Sequence, residues 1–161
     1  MSVQPEVIRQ HIDRILGEEA VLLAELEQVL TREAAAVRGD DAAAIENIGG
    51  ARHQCIDSLM RLDGERASAC RMLSLGTGPE AIDRLLSWCD PDQSLRRRWQ
   101  SNLTITRRCK ELNDRNGAIV TLKLEHVRQR LAAMRGSSAG PVYGRQGLPY
   151  QSIAGRELAQ A

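Results

Sequence analysis

The chain has 161 residues, no Phe, and only four aromatic side chains, Trp88, Trp99, Tyr143 and Tyr150, against 42% hydrophobic residues. Aromatic and β-branched residues fill pleated sheets best, so this composition disfavours an all-β sandwich or barrel and points to an aliphatic helical core. With 22 Lys and Arg against 21 Asp and Glu, the formal net charge is +1, which argues against nucleic acid or an anionic membrane surface as the main partner.

From Pro5 to Val37 the apolar residues come as doublets seven apart, Ile15-Leu16, Leu22-Leu23, Val29-Leu30 and Ala36-Val37, with Ile8 and Ile12 upstream. This spacing predicts a helix with a broad heptad face. Pro5 suits the first helical position, Gly39 supplies a stop, and Asp40 or Asp41 can cap a second helix at once. That helix keeps a 3,4 spacing through Ile45, Ile48, Arg52, Cys55, Leu59, Leu62, Arg66, Ala69 and Leu73, which puts two arginines at seam positions. A connection this short makes it antiparallel to the first helix. Gly49-Gly50 inside the pattern predicts a local bend, and Gly76-Thr77-Gly78-Pro79 ends the helix.

A short amphipathic helix follows, with Ile82, Leu85, Leu86 and Trp88. Asp90-Pro91-Asp92-Gln93 then has the order of a cap, a first-turn Pro, an acidic residue and a Gln, so the last helix is expected to run from Pro91 to Arg135. Each long helix would span about 50 Å or more at 1.5 Å per residue. The expected fold is all-α, an elongated antiparallel bundle of three long helices and one short one over residues 1–135. Residues 136–161 carry five of the thirteen glycines and two of the five prolines without an apolar period, and are expected to form a flexible tail.

The first thirty residues carry Glu6, Asp13, Glu18, Glu19, Glu25 and Glu27, and nowhere do about 18 uncharged apolar residues run together. The chain therefore reads as soluble and cytoplasmic, without stable membrane insertion. Its four cysteines, at 55, 70, 89 and 109, form neither a disulfide framework nor a zinc pattern, and are read as reduced small hydrophobes. His11, His53 and His126 are scattered over three helices, and no nucleophile elbow, zinc-protease helix, Walker loop or dinucleotide fingerprint occurs. These features predict no enzyme, no cofactor and no metal.

Arg96-Arg97-Arg98 with Arg107, Arg108 and Lys110 is the main basic cluster. Three consecutive arginines fan around a helix instead of forming a stripe, and the acidic first helix can pair with some of them. Nucleic acid is accordingly not expected as a partner. In the last helix a 3,4 reading through Leu95, Trp99, Asn102, Thr106, Cys109, Asn113, Asn116, Val120, Val127 and Leu131 puts Asn113 and Asn116 on the packing seam. Unpaired amides there are costly. Two compatible readings are open: a polar layer that fixes register, or a close helix approach at Gly117 with the amides bonding to that helix. Tyr143, between Pro141 and the glycines at 144 and 147, reads either as a chance aromatic in a polar segment or as a docking motif on a tether.

The run Cys109-Lys110-Glu111-Leu112-Asn113-x-x-Asn116-Gly117-x-Ile119-Val120, with Val127, Leu131 and then Val142-Tyr143-Gly144-x-x-Gly147, resembles the FlgN-type flagellar export chaperones. The segment from Asp40 to Arg66, with Arg52 and Leu59-x-x-Leu62-x-x-x-Arg66, is similar to the family's second helix. The resemblance implies an ATP-independent cytoplasmic chaperone of the flagellar type III secretion system. It would hold hook-filament junction proteins unassembled and bring them to the export gate. It also implies a partner-binding set of Asn113, Asn116, Gly117, Val120, Val127, Leu131, Tyr143, Gly144 and Gly147, with Tyr143 meeting the cytoplasmic domain of the gate. An exposed aliphatic groove would also permit a weak homodimer. The competing expectation, from heptads alone, is a coiled-coil adaptor or scaffold that releases no cargo.

Overall fold

A computed structural model describes residues 4–135. Among them the chain forms four helices and no strand: α1 (Pro5–Arg38), α2 (Ala42–Met72), α3 (Pro79–Cys89) and α4 (Ser94–Arg135). The expected set of three long helices and one short one is what forms. The chain divides into two compact units, Met1–Val120 and Thr121–Ala161. The segment 136–161, expected to be a tail, lies outside the described residues.

The helix ends follow local chemistry. Pro5 opens α1, where the missing N–H costs no bond. The Gly39 N–H closes α1 by donating to the Ala35 carbonyl at 3.0 Å. Of the two candidate caps, Asp41 serves, its carboxylate accepting from the Ala44 N–H at 3.0 Å, while Asp40 takes a positive φ of 55° in the turn. α2 runs as one helix through Gly49 and Gly50. Gly76 and Gly78, at φ of +91° and +85°, make the left-handed connection to α3 that side chains resist.

The start of α4 corrects the sequence expectation. The helix begins at Ser94, not Pro91, because Gln93 adopts φ 58° and ends a turn that holds Pro91 and Asp92. Asp90 still caps it, reaching across that turn from a buried position. Its carboxylate accepts from the backbone N–H of Leu95 at 3.2 Å and of Arg96 at 2.9 Å. Asp92 accepts from the Ser94 N–H at 3.1 Å and pairs with Arg9 at 2.8 Å, which holds its carboxyl below the usual carboxylate range.

Within the first unit α2 runs antiparallel to α1, since Arg66 pairs with Glu19 and Arg52 with Glu33. α4 runs parallel to α1, since Asn102, Cys109 and Asn116 meet Leu16, Leu23 and Leu30 at a constant separation of 86 residues. One apolar cluster gathers Ile8, Ile12, Ile15 and Leu16 of α1, Leu62, Ala69 and Cys70 of α2, Ile82, Leu85, Leu86 and Cys89 of α3, and Leu95 of α4. Each fully buried aliphatic side chain in it contributes roughly 1.5–3 kcal/mol relative to exposure. A smaller cluster of Leu26, Leu30, Cys55 and Cys109 packs with Ile56, Leu59, Ile105 and Leu112. All four cysteines are free and buried, and burial raises each thiol, that of Cys109 to about 11. Such thiols pack as small apolar groups and are poor nucleophiles.

Candidate functional site

Among the described residues five polar ones are at 6% exposure or less, and four of them form two matching layers across α1, α2 and α4. In the first layer, the Asn102 amide nitrogen donates to the Leu16 carbonyl at 3.0 Å and to the Glu19 carboxylate at 3.2 Å. Glu19 also accepts from Arg66, whose guanidinium pairs with Asp63 and stacks 4.5 Å from the centre of the Trp99 ring. Two heptads on, Asn116 donates to the Leu30 carbonyl and to Glu33, both at 2.9 Å, and Glu33 pairs with Arg52 at 2.9 Å. Among the described residues no buried side-chain nitrogen or oxygen lacks a hydrogen-bond partner.

These layers account for the two seam arginines. An isolated ion in a helical core costs several kcal/mol, and here each carboxylate is matched by a guanidinium from α2 and an amide from α4. The 3,4 spacing puts Arg52, Arg66 and Asn102 on seams but does not join them to Glu19 and Glu33. A detectable signal existed: each pair, Asn102 with Asn116, Glu19 with Glu33 and Arg52 with Arg66, is spaced by two heptads on its own helix.

The expected partner residues separate into distinct environments. Asn116 is buried in the second layer, which agrees with the register reading, whereas Asn113 is only half-buried and lies outside that layer. Gly117 is exposed, and a Cβ built there would meet nothing within 4 Å among the described residues. Val120 is 41% exposed at the end of the first unit. In the second unit Val127 and Leu131 are exposed as well. Tyr143, Gly144 and Gly147 lie outside the described residues.

The second unit exposes two further apolar side chains, Leu124 and Met134, in line with Val127 and Leu131. Leu124, Val127, Leu131 and Met134 are 46–74% exposed and follow one another at spacings of three, four and three residues. They form an aliphatic stripe along the final turns of α4. Leu122, also exposed, stands off this line. A repeated aliphatic stripe of this kind is the surface an amphipathic helix would cover.

The model of the FlgN protein family matches residues 9–151. The chain belongs to the FlgN family. This is a family of flagellar export chaperones and not of enzymes. No curated protein and no solved structure matches the chain. Among the described residues of this FlgN-family chain, no group of three or more His, Cys, Asp or Glu is arranged to hold a metal ion. No described helix is long and apolar enough to cross a membrane.

The basic cluster of this family member is largely spent on internal pairs. Arg96 meets Asp83 at 3.0 Å, Arg98 meets Asp13 at 2.8 Å, Arg108 meets Glu27 at 3.1 Å, and Arg97 donates to the Asp92 carbonyl at 3.3 Å. Such pairs compete with phosphate for the same guanidinium groups.

Proposed function

We propose that the protein is a cytoplasmic export chaperone of the flagellar type III secretion system. Its cargo is the terminal amphipathic helix of hook-filament junction proteins, which it keeps from assembling early and brings to the export gate. The observation that supports this reading is the exposed stripe of Leu124, Val127, Leu131 and Met134 in a chain of the FlgN family. A cargo helix laid along that stripe hides its own apolar face, the same face that would otherwise pair with another junction protein. Because the cargo orders as it binds, part of the contact energy is offset by lost entropy, so affinity is moderate and release needs no nucleotide.

In this reading Val120, Val127 and Leu131 contact cargo, and Gly117 leaves room beside Asn113 for its backbone. Asn116 acts from inside, holding α4 in register against α1. Tyr143, with Gly144 and Gly147 shaping its turn, meets the cytoplasmic domain of the export gate.

Titration calorimetry of the full chain with the C-terminal peptide of a junction protein from the same genome tests the reading. A 1:1 complex is expected. No heat at tens of micromolar, with the protein folded, refutes cargo capture and leaves a helical adaptor as the reading in its place.

A further inference from the structure

The aliphatic stripe on α4 has flanks of a single charge. With Leu124 and Leu131 at one seam position and Val127 and Met134 at the other, the positions bordering the stripe within this segment are Thr121, Lys123, Arg128, Arg130 and Arg135. Four of the five are basic and none is acidic. The one carboxylate nearby, Glu125, lies off the border and accepts a hydrogen bond from Gln129 at 3.2 Å. Arg128 and Arg130 are exposed and form no ion pair among the described residues.

Border positions decide which helix pairs with which. In a parallel pair each border residue faces the opposite border of its partner, and in an antiparallel pair it faces the same border. Two copies of this segment would set Arg and Lys against Arg and Lys in either orientation, and like charges in that position repel. A helix with acidic borders would instead form opposite-charge pairs along both sides of the stripe.

We propose that the stripe docks a partner amphipathic helix whose aliphatic seam is bordered by Asp and Glu, and that the basic border excludes a second copy of this chain. The proposal rests on the chaperone reading for its biological cargo, but its physical content concerns charge alone. Charge on the border selects the partner, and the aliphatic seam supplies a contact common to many helices.

The test uses the full chain and two synthetic three-heptad peptides with one aliphatic seam, differing only in having Glu or Lys at every border position. Fluorescence anisotropy should show the Glu peptide binding at least about tenfold more tightly, with the margin shrinking at high salt. Arg128→Glu/Arg130→Glu/Arg135→Glu should invert the preference. The neutral Arg128→Gln/Arg130→Gln/Arg135→Gln should abolish it while circular dichroism stays unchanged. Sedimentation should give a monomer at peptide-binding concentrations.

Equal binding of both peptides, a preference that survives charge reversal, failure of the Glu peptide to bind, or a dimer dissociated by Leu131→Ser would each overturn the proposal. A junction-protein peptide run in parallel separates the two readings. If it binds while the model peptides show no charge preference, this proposal alone falls. If the preference holds and the junction peptide does not bind, the chaperone reading falls instead.

Discussion

Asn116 and Glu33 stand 2.9 Å apart between α4 and α1, and Asn102 and Glu19 repeat the pairing at 3.2 Å with the same sequence separation of 83 residues. Each carboxylate is also held by an α2 arginine, so both layers tie three helices together at one height. An apolar seam of Leu and Ile tolerates sliding by a heptad, because every layer looks like the next. A buried Asn–Glu–Arg layer does not, since a slipped register leaves an ion and an amide without partners.

The two layers should differ in their sensitivity to truncation. The Arg66 side chain is 12% exposed and the Arg52 side chain 37%. Glu19→Ala leaves a nearly buried guanidinium with only the exposed Asp63 as its ion partner and should cost about 3–5 kcal/mol. In Glu33→Ala, Arg52 can turn to water, and the cost should be about 1–3 kcal/mol. Urea unfolding of the two variants checks the order.

Gly49 and Gly50 lie within α2, and Gly117 within α4, and a Cβ at any of the three meets nothing within 4 Å. Gly49→Ala and Gly50→Ala should each stabilise the fold by about 0.5–1 kcal/mol through helix propensity. Gly117→Ala should stabilise by a similar amount and, if cargo backbone packs there, weaken cargo binding. Thermal melts paired with cargo calorimetry read both effects.

The Cys109 thiol, which donates to the Leu23 carbonyl at 3.7 Å, is raised to about 11 from 9.0 by burial first, with Glu27 adding to it. In this window the folded chain retains the proton and the unfolded chain has lost it, so stability is present below about pH 9 and falls as pH rises toward 11. Cys109→Ala should be less stable at neutral pH because of the cavity, yet show a shallower decline above pH 9. Denaturant midpoints between pH 8 and pH 10.5, roughly spanning that window, provide the comparison.

Val127→Ser and Leu131→Ser remove side chains that are 51% and 46% exposed. Stability should change by no more than about 0.5 kcal/mol, while cargo affinity should drop about tenfold or more. Loss of both together would assign these residues to the fold and not to a docking face. Tyr143→Ala should leave cargo binding intact and weaken binding to the cytoplasmic domain of the gate, which a pull-down with each partner would separate.

The sequence by itself determined the elements. Heptad doublets such as Ile15-Leu16 and Leu22-Leu23 leave one solution for α1, Gly39 and Asp41 stop one helix and cap the next, and Gly76 and Gly78 mark a turn whose positive φ angles few other residues adopt. The motif around Asn113, Asn116 and Gly117 also carried the family, which the match over residues 9–151 established. Periodicity could not place the start of α4, since Asp90 caps from beyond a turn that Gln93 closes through its positive φ.

Only the tertiary structure decided which polar residues are internal. Asn113 and Asn116 look alike in a 3,4 pattern, yet Asn116 faces the Leu30 carbonyl and Glu33, and Asn113 does not. Val127 and Leu131 continue the seam spacing, yet they are exposed. The physical reason is the same in both cases. A helical period specifies which residues share a face, but only the neighbouring helices determine where along its length that face is covered.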